Sequence, residues 1–393
     1  YAQFGWVPSG NFAVPNDDTI WHSSANVLTP NKPVTLSWSN GDGLTFKRTY
    51  TIDENYMFSI MQKVINTGNK PIKLNAYGLV SRRGTPETTG FYILHEGLLG
   101  VFDDTLTEID YDDIQETGQA KQTSKGGWIG ITDKYWLAAL IPDQKSNNNT
   151  RFLYSKQNNV DTYQIDYVNP LLSVAAGRSA ETVNHLFVGA KEVRLLDSYE
   201  KSIGVRRFDL AIDFGWFYFL TKPIFYALLW INNHVLNLGV SILLLTICIK
   251  LVFFPLANKS YASMSKMKKL QPKILQLRER HGDDKMKMNQ EMMDLYKKEK
   301  VNPASGCLPI LIQIPVFFAL YKVLFVSLEM RHAPFYLWIQ DLSRPDVVLD
   351  LGINLPLYGS CLLYTSPRPR ARGWARMTSS AWKKKGGGGG GGG

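Results

Sequence analysis

The chain has 393 residues, 45% hydrophobic and 20% charged, with a formal net charge of +10 and three cysteines. Seven of the positive charges are Arg368, Arg370, Arg372, Arg376, Lys383, Lys384 and Lys385, in a terminal stretch without hydrophobic periodicity, so the net charge is no argument for a nucleic-acid partner. Cys248, Cys307 and Cys361 all lie past the first two hundred residues, which excludes a disulfide scaffold there, and no metal-ligand spacing occurs, so neither a metal nor a cofactor is expected.

Residues 1–215 hold 20 Lys and Arg against 24 Asp and Glu, and no apolar run long enough to cross a bilayer. Turn signals at NGDG (40–43), NTGNKP (66–71) and SKGG (124–127) separate segments rich in β-branched and aromatic residues, and Leu44, Phe46, Tyr50 and Ile52 hold roughly to a period of two. The pattern predicts an all-β domain over residues 1–206, two antiparallel sheets packed as a sandwich. His95, Glu96 and His185 would be acid and base if this domain processed a sugar, but three dispersed polar residues in a large β domain more often satisfy surface or core hydrogen bonds.

Residues 207–237 change character. FGWFYFLTKPIFYALLWI (214–231) is aromatic throughout, with Lys222 and Pro223 inside it and Trp216 and Trp230 toward its ends. The Lys and Pro argue against a full span, and the aromatic rings suit an amphipathic helix lying in the headgroup plane; a buried helix of the soluble domain is the alternative.

Residues 238–256 follow, with thirteen of Leu, Ile, Val or Phe and one charge, Lys250. Each apolar residue returns roughly 0.3 to 0.6 kcal/mol on insertion against ~2.5 to 3.5 kcal/mol for the ammonium, so a transmembrane helix is predicted with its charge aboard. Thr246 lies one turn earlier on the face of Lys250. Residues 257–304 carry 12 basic and 6 acidic residues and precede a second apolar segment at 305–328. The basic excess places that loop in the cytoplasm, and residues 1–206 and the loop at 329–355 outside. Tyr261, Met264, Met267, Leu270, Ile274 and Leu277, then Met288, Met292 and Leu295 after HGDD (281–284), recur at helical spacing and predict a two-helix hairpin. Its Met-rich faces suit adaptable partners or simply zip the arms together; its basic residues, Lys266, Lys268, Lys269, Arg278 and Arg280 among them, suit partner contacts or anionic lipid.

The second span contains Pro309, Gln313, Pro315 and Lys322, the pattern of a kinked helix beside a polar space. Gln313 and Lys250 fall at about the same depth, roughly 9 Å inside the cytoplasmic end, so a shared polar pocket is expected. The stretch at 356–393 reads as translated adapter ending in eight glycines and is expected to be foreign and disordered. With Tyr1 first and no initiator Met, the chain reads as a fragment at both ends.

FGWFYFLTKPIF, FFPL with ANKSYASMSKMKKLQPKI, RERHGDDKMKMNQEMMDLYKKEKVNPASGCLPILIQIPVFFALYKVL and EMRHAPFYLWIQDLS, together about residues 213–343, closely resemble the YidC/Oxa/Alb family of membrane protein insertases in its Gram-negative form. The resemblance implies a multidomain, multi-pass protein of the bacterial inner membrane: an all-β periplasmic sandwich, then an α-helical transmembrane bundle with a cytoplasmic helical hairpin. It implies no enzymatic turnover, and a hydrophilic groove that receives polar segments of nascent membrane proteins while their apolar segments slide into lipid. Lys250 stands where the family most often has Arg, with Thr246 on the same groove wall, and the hairpin corresponds to a lid that receives substrate, ribosome or targeting receptor. Activity alone or with the Sec translocon fits the family. Only two of its five core spans fall within this chain. A transporter or channel is the competing class, since an intramembrane Lys can mark a substrate path; a membrane-anchored carbohydrate-binding domain is another.

Overall fold

The computed structural model describes residues 1–88, 94–280, 285–299, 308–337 and 339–344. The HGDD turn and the stretch expected to be foreign lie outside the described residues. Two compact units are present: residues 1–236 with 241–328, and residues 237–240 with the chain from 329 onward.

In the first unit the strands begin with β1 (Ala2–Pro8), β2 (His22–Ser23), β3 (Val34–Ser39), β4 (Leu44–Ile52), β5 (Met57–Asn66), β6 (Ile72–Arg83), β7 (Gly97–Phe102) and β8 (Thr105–Ile109). A short helix, α1 (Tyr111–Thr117), precedes β9 (Gln119–Lys125), β10 (Trp128–Thr132), β11 (Trp136–Ile141), β12 (Asn147–Gln157), β13 (Val160–Val168), β14 (Leu172–Val174) and β15 (Arg178–Ala190). One sheet runs β1-β6-β13-β12-β9, with β14 also on β6; the other runs β2-β3-β4-β5-β15-β11-β10-β7-β8.

The period of two does what a half-buried strand requires. Phe46 pairs with Val64 across β4 and β5, and both pack with Leu44 on Trp6, Leu74 and Ala76 of the opposite sheet. A second cluster joins Phe152, Tyr163, Ile165 and Tyr167 of one sheet to Ile60, Leu98, Ile129 and Leu140 of the other. The expected sandwich is therefore present. At SKGG the turn signal reflects a steric demand: Gly127 has φ of 81°, and a Cβ there would lie 2.1 Å from the Val101 carbonyl oxygen.

Helices complete the chain: α2 (Val193–Ser202), α3 (Tyr218–Val235), α4 (Leu238–Arg280), α5 (Lys285–Lys298) and α6 (Leu308–Val326), with a 3-10 turn at Phe208–Ala211. The 43 residues of α4 run straight through the change of composition at 256/257, so the span and the first arm of the hairpin are one helix despite Pro255 and Pro272. At 1.5 Å per residue such a helix is about 65 Å long, twice a hydrocarbon core of about 30 Å, and its basic half must project from the bilayer. Lys273 and Glu299 join the hairpin arms at 2.7 Å. Leu270 is buried and Met267, Ile274, Leu277, Met288, Met292 and Leu295 half-buried, whereas Tyr261 and Met264 remain exposed. These faces are therefore partly covered, and the Lys273–Glu299 pair links the arms.

In α6, Val316, Ala319, Val323 and Val326 form a buried stripe at helical spacing, and this helix packs against α3, whose Thr221, Ile224, Phe225, Leu228 and Leu229 are buried. In the second unit, Asn237 accepts the Val240 N–H at 3.1 Å, capping the start of α4. Asp341 accepts hydrogen bonds from the Ser343 hydroxyl and N–H and from the His332 N–H, which hold its carboxyl down to about 2.

Candidate functional site

Among the described residues one helix, α4, is long and apolar enough to cross a membrane; α6 is apolar over Ile310–Val326 and shorter. Only 11% of the most apolar part of α4 is buried, unlike the core helix of a soluble protein. Leu243, Ile247, Leu251, Val252 and Phe254 on α4 and Ile310, Leu311 and Phe317 on α6 are exposed, a surface that only lipid or further helices can cover without loss.

Lys250 lies exposed on α4 and has no hydrogen bond or ion pair among the described residues. Thr246 is half-buried, and its hydroxyl donates back to the Ile242 carbonyl at 2.8 Å, as threonines in apolar helices do. Gln313 is exposed on α6. The structure does not join Gln313 to Lys250 by any hydrogen bond, and the buried stripe of α6 is spent on α3. Lys266, Lys268, Lys269 and Arg280 are all exposed on the basic half of α4; the Arg278 side chain lies outside the described residues.

The other charge in the second span has a different fate. Lys322, near the outer end of α6, pairs with Asp213 at 2.7 Å, and the same carboxylate accepts the N–H groups of His95 at 3.2 Å and Gly215 at 3.0 Å. Lys134 stacks on Phe325 at 4.2 Å from the ring centroid. The sandwich, the linker and the outer end of α6 thus meet at one hydrogen-bonded junction. Gly215 has φ of 73°, and a Cβ there would sit 2.9 Å from Cε of Lys322. Gly215→Val is expected to destabilise the junction by about 1 to 3 kcal/mol through backbone strain, read as a lower thermal midpoint in detergent, while Lys322→Met in the same background should add less than it does alone.

A second charge cluster fixes α3. Lys222 bridges Asp197 of α2 at 2.9 Å and Asp209 at 2.7 Å, and Tyr218 and Tyr226 donate their hydroxyls to the same two carboxylates. Burial opposes the charge on Lys222, but the carboxylates overcome it and hold the ammonium above its usual range. Asp197, Glu200 and Asp209 converge within 4.8 Å, as a cation site would; the Lys222 ammonium bonds two of the three. Trp216, Phe219 and Trp230 stay exposed on or beside α3, the arrangement wanted for rings at a headgroup interface.

The residues first weighed for sugar chemistry serve structure, each with a different partner. His95 faces Asp110 at 3.1 Å and the Leu98 carbonyl at 3.0 Å, Glu96 accepts the Lys134 N–H at 3.0 Å, and His185 pairs with Ser59 at 2.9 Å while burial pushes its ring pKa down.

Residues 1–227 match the family model described as the YidC periplasmic domain, and residues 230–369 match that described as the 60Kd inner membrane protein. Over 348 residues the chain is 51% identical to the membrane protein insertase YidC of Rickettsia bellii, covering 88% of this chain and 62% of that protein. It is 50% identical over 358 residues to the protein of the same name from Bradyrhizobium diazoefficiens, covering 88% and 58%. The chain thus spans about three-fifths of the length of these relatives. A crystal structure titled active YidC insertase with the first transmembrane domain resolved aligns at 19% identity with a TM-score of 0.32, over 94% of this chain and 74% of that one.

Proposed function

The chain belongs to the YidC family of inner-membrane insertases, and on that premise we propose that it guides nascent membrane proteins from the cytoplasm into the inner membrane, acting as insertase and chaperone without chemical turnover. The observation that carries the reading is Lys250: an exposed ammonium on an apolar helix, given no hydrogen bond or ion pair by the described residues. Holding a charge there costs ~2.5 to 3.5 kcal/mol, and an internal acid would have offset it. Neither 238–256 nor 308–326 contains an Asp or Glu, so the charge is left for a polar or acidic segment of a passing substrate. Thr246 and Gln313 are the polar groups at similar depth that would line such a groove. The basic, solvent-exposed half of α4, with Lys266, Lys268, Lys269 and Arg280, is the surface on which a ribosome or targeting receptor would dock, and cooperation with the Sec translocon is compatible with it.

Lys250 supplies the test. In cells depleted of insertase, full-length protein carrying Lys250→Arg should insert substrates with acidic translocated segments as well as the parent. Lys250→Leu should slow them, and Lys250→Glu should slow them about tenfold or more, the equivalent of ~1.4 kcal/mol of lost attraction. Protease protection of the translocated segment, compared at equal protein abundance, is the readout. Equal insertion by Lys250→Glu would remove the groove role from this residue, and ion conductance that changes with Lys250 while insertion does not would favour a channel.

A further inference from the structure

At the end of α4 away from its basic half, the second unit folds into a small loop tied at its base. The Phe335 N–H donates to the Ile339 carbonyl at 2.9 Å and the Leu342 N–H to the Ala333 carbonyl at 3.0 Å, while Asp341 accepts the His332 N–H at 3.1 Å and the Ser343 N–H at 2.8 Å. The Phe335 ring lies over Gly239, the second residue of α4: a Cβ there would come within 2.2 Å of Cδ2 of the ring. At the tip the pattern reverses. Tyr336 is 59% and Leu337 86% exposed, and Leu337 has φ of 63°. Residues 333–340 contain no charged side chain, whereas Arg331 and Arg344 are exposed at the base.

A glycine takes a φ of 63° without strain and a polar residue is at ease in water, so a leucine in that place is doubly unfavourable unless its side chain meets an apolar medium. The height of the tip decides which medium is at hand. Gly239 stands at the outer boundary of the apolar run of α4, and Leu337 is two residues, about 7 Å of chain, beyond the Phe335 that packs on it. The headgroup layer on each side of a bilayer is itself about 5 to 8 Å thick, so the tip lies in it or beside it. Along the same helix the exposed apolar side chains begin one turn further in, at Leu243 and Leu244. We propose that Tyr336 and Leu337 insert among the phospholipids of the outer leaflet, at the boundary of headgroups and acyl chains, so that the loop is a membrane foot holding the outer end of α4 at the bilayer surface. Continuity with the lipid-facing side of α4 favours phospholipid over a further protein segment, and an uncharged tip above exposed arginines suits an apolar layer capped by phosphates. The inference rests on α4 crossing the inner membrane, which the experiment checks separately.

The test uses the whole chain with Cys248, Cys307 and Cys361 replaced by serine, one new cysteine carrying an environment-sensitive fluorophore, and reconstitution in phosphatidylcholine vesicles with and without phosphatidylglycerol. A label at Tyr336→Cys, which leaves Leu337 in place, is expected to be quenched by a nitroxide near the top of the acyl chain about twice as strongly as by one near its end, and to be shielded from aqueous iodide in both lipid mixtures. At Ile247→Cys, in the middle of the span and exposed, the deeper nitroxide should quench more, which checks that α4 crosses the bilayer. At Glu54→Cys, on an exposed turn of the sandwich, only iodide should quench. Leu337→Asp, and Phe335→Ala, which frees the loop from Gly239, should each lower nitroxide quenching at 336 at least twofold and leave that at 247 unchanged. Iodide quenching at 336 equal to that at 54 would overturn the proposal and place the tip in water. Quenching by neither iodide nor nitroxide would overturn it in favour of a protein segment that covers the tip, and nitroxide quenching indifferent to both variants would overturn the role given to Leu337 and to the Gly239 contact.

Discussion

Lys222→Met is expected to lower stability by about 3 kcal/mol, the lower end of the ~3 to 5 kcal/mol for removing one partner of a buried ion pair. The lower end applies because Lys222 keeps a fifth of its side chain exposed and because Tyr218 and Tyr226 still donate to the carboxylates left behind. A surface pair would give no more than about 1 kcal/mol. The difference is Asp209, whose side chain is 3% exposed and would keep a charge with only Arg207, 4.0 Å away, to match it. In thermal unfolding of the detergent-solubilised chain this amounts to a fall of about 6 to 12 °C in the midpoint. Lys222→Met combined with Asp209→Leu should recover much of the loss, because replacing both partners by apolar groups removes the buried charge as well as its counter-ion. If the double variant is as unstable as the sum of its singles, the pair is not coupled and α3 is held by its apolar face alone. If it recovers, the ammonium is what holds α3, and through it α6, to the end of the sandwich.

That cluster marks where sequence reading stops. Strands were legible because a sheet with one buried face imposes a period of two, as at Leu44 and Phe46, and turns because positive φ demands glycine, as at Gly127. The partner of a strand leaves no comparable trace: β5 pairs with β15 through Ile60 and Asn184, more than a hundred residues apart. Lys222 and Lys322 illustrate the same limit for charge. In the sequence each is a charge interrupting an apolar run, readable only as a penalty against spanning or as a polar lining. Their counter-charges, Asp197 and Asp209 for one and Asp213 for the other, sit in segments with no pattern that announces them. Compositional boundaries also mislead about backbone. The change at 256/257 separates lipid-compatible from water-compatible residues, but helix propensity is indifferent to that distinction, so α4 continues through it. Lys250 was legible as a candidate because its cost is written in the residues around it.

Lys191→Met is expected to raise the stability of the sandwich by about 3 kcal/mol at pH 7, an unusual direction for a buried residue. Lys191 follows β15, is 6% exposed, and donates its ammonium to the Thr132 hydroxyl at 2.8 Å. Burial pushes its pKa down to about 8, and Asp213, Glu96, Asp133 and Glu108 only partly compensate. The folded-state value lies below the unfolded one of about 10.4, so on raising the pH the folded chain releases its proton first. Below pH 8 both states are charged and the folded state carries the full burial penalty, about 3 kcal/mol for a pKa moved from about 10.4 to about 8. Between about pH 8 and 10.5 the unfolded chain binds more protons, so the stability of the parent rises with pH and the penalty disappears. The advantage of Lys191→Met should therefore be largest at pH 7 and shrink steadily toward pH 10.5, in urea unfolding followed by tryptophan fluorescence. Thr132 keeps its own bonds to the Asp133 and Trp136 carbonyls, so no hydroxyl is orphaned by the change. An advantage independent of pH would mean that methionine gains by packing and that the charge costs nothing. A loss of stability at pH 7 would mean that the four carboxylates around Lys191 need its charge more than burial resists it.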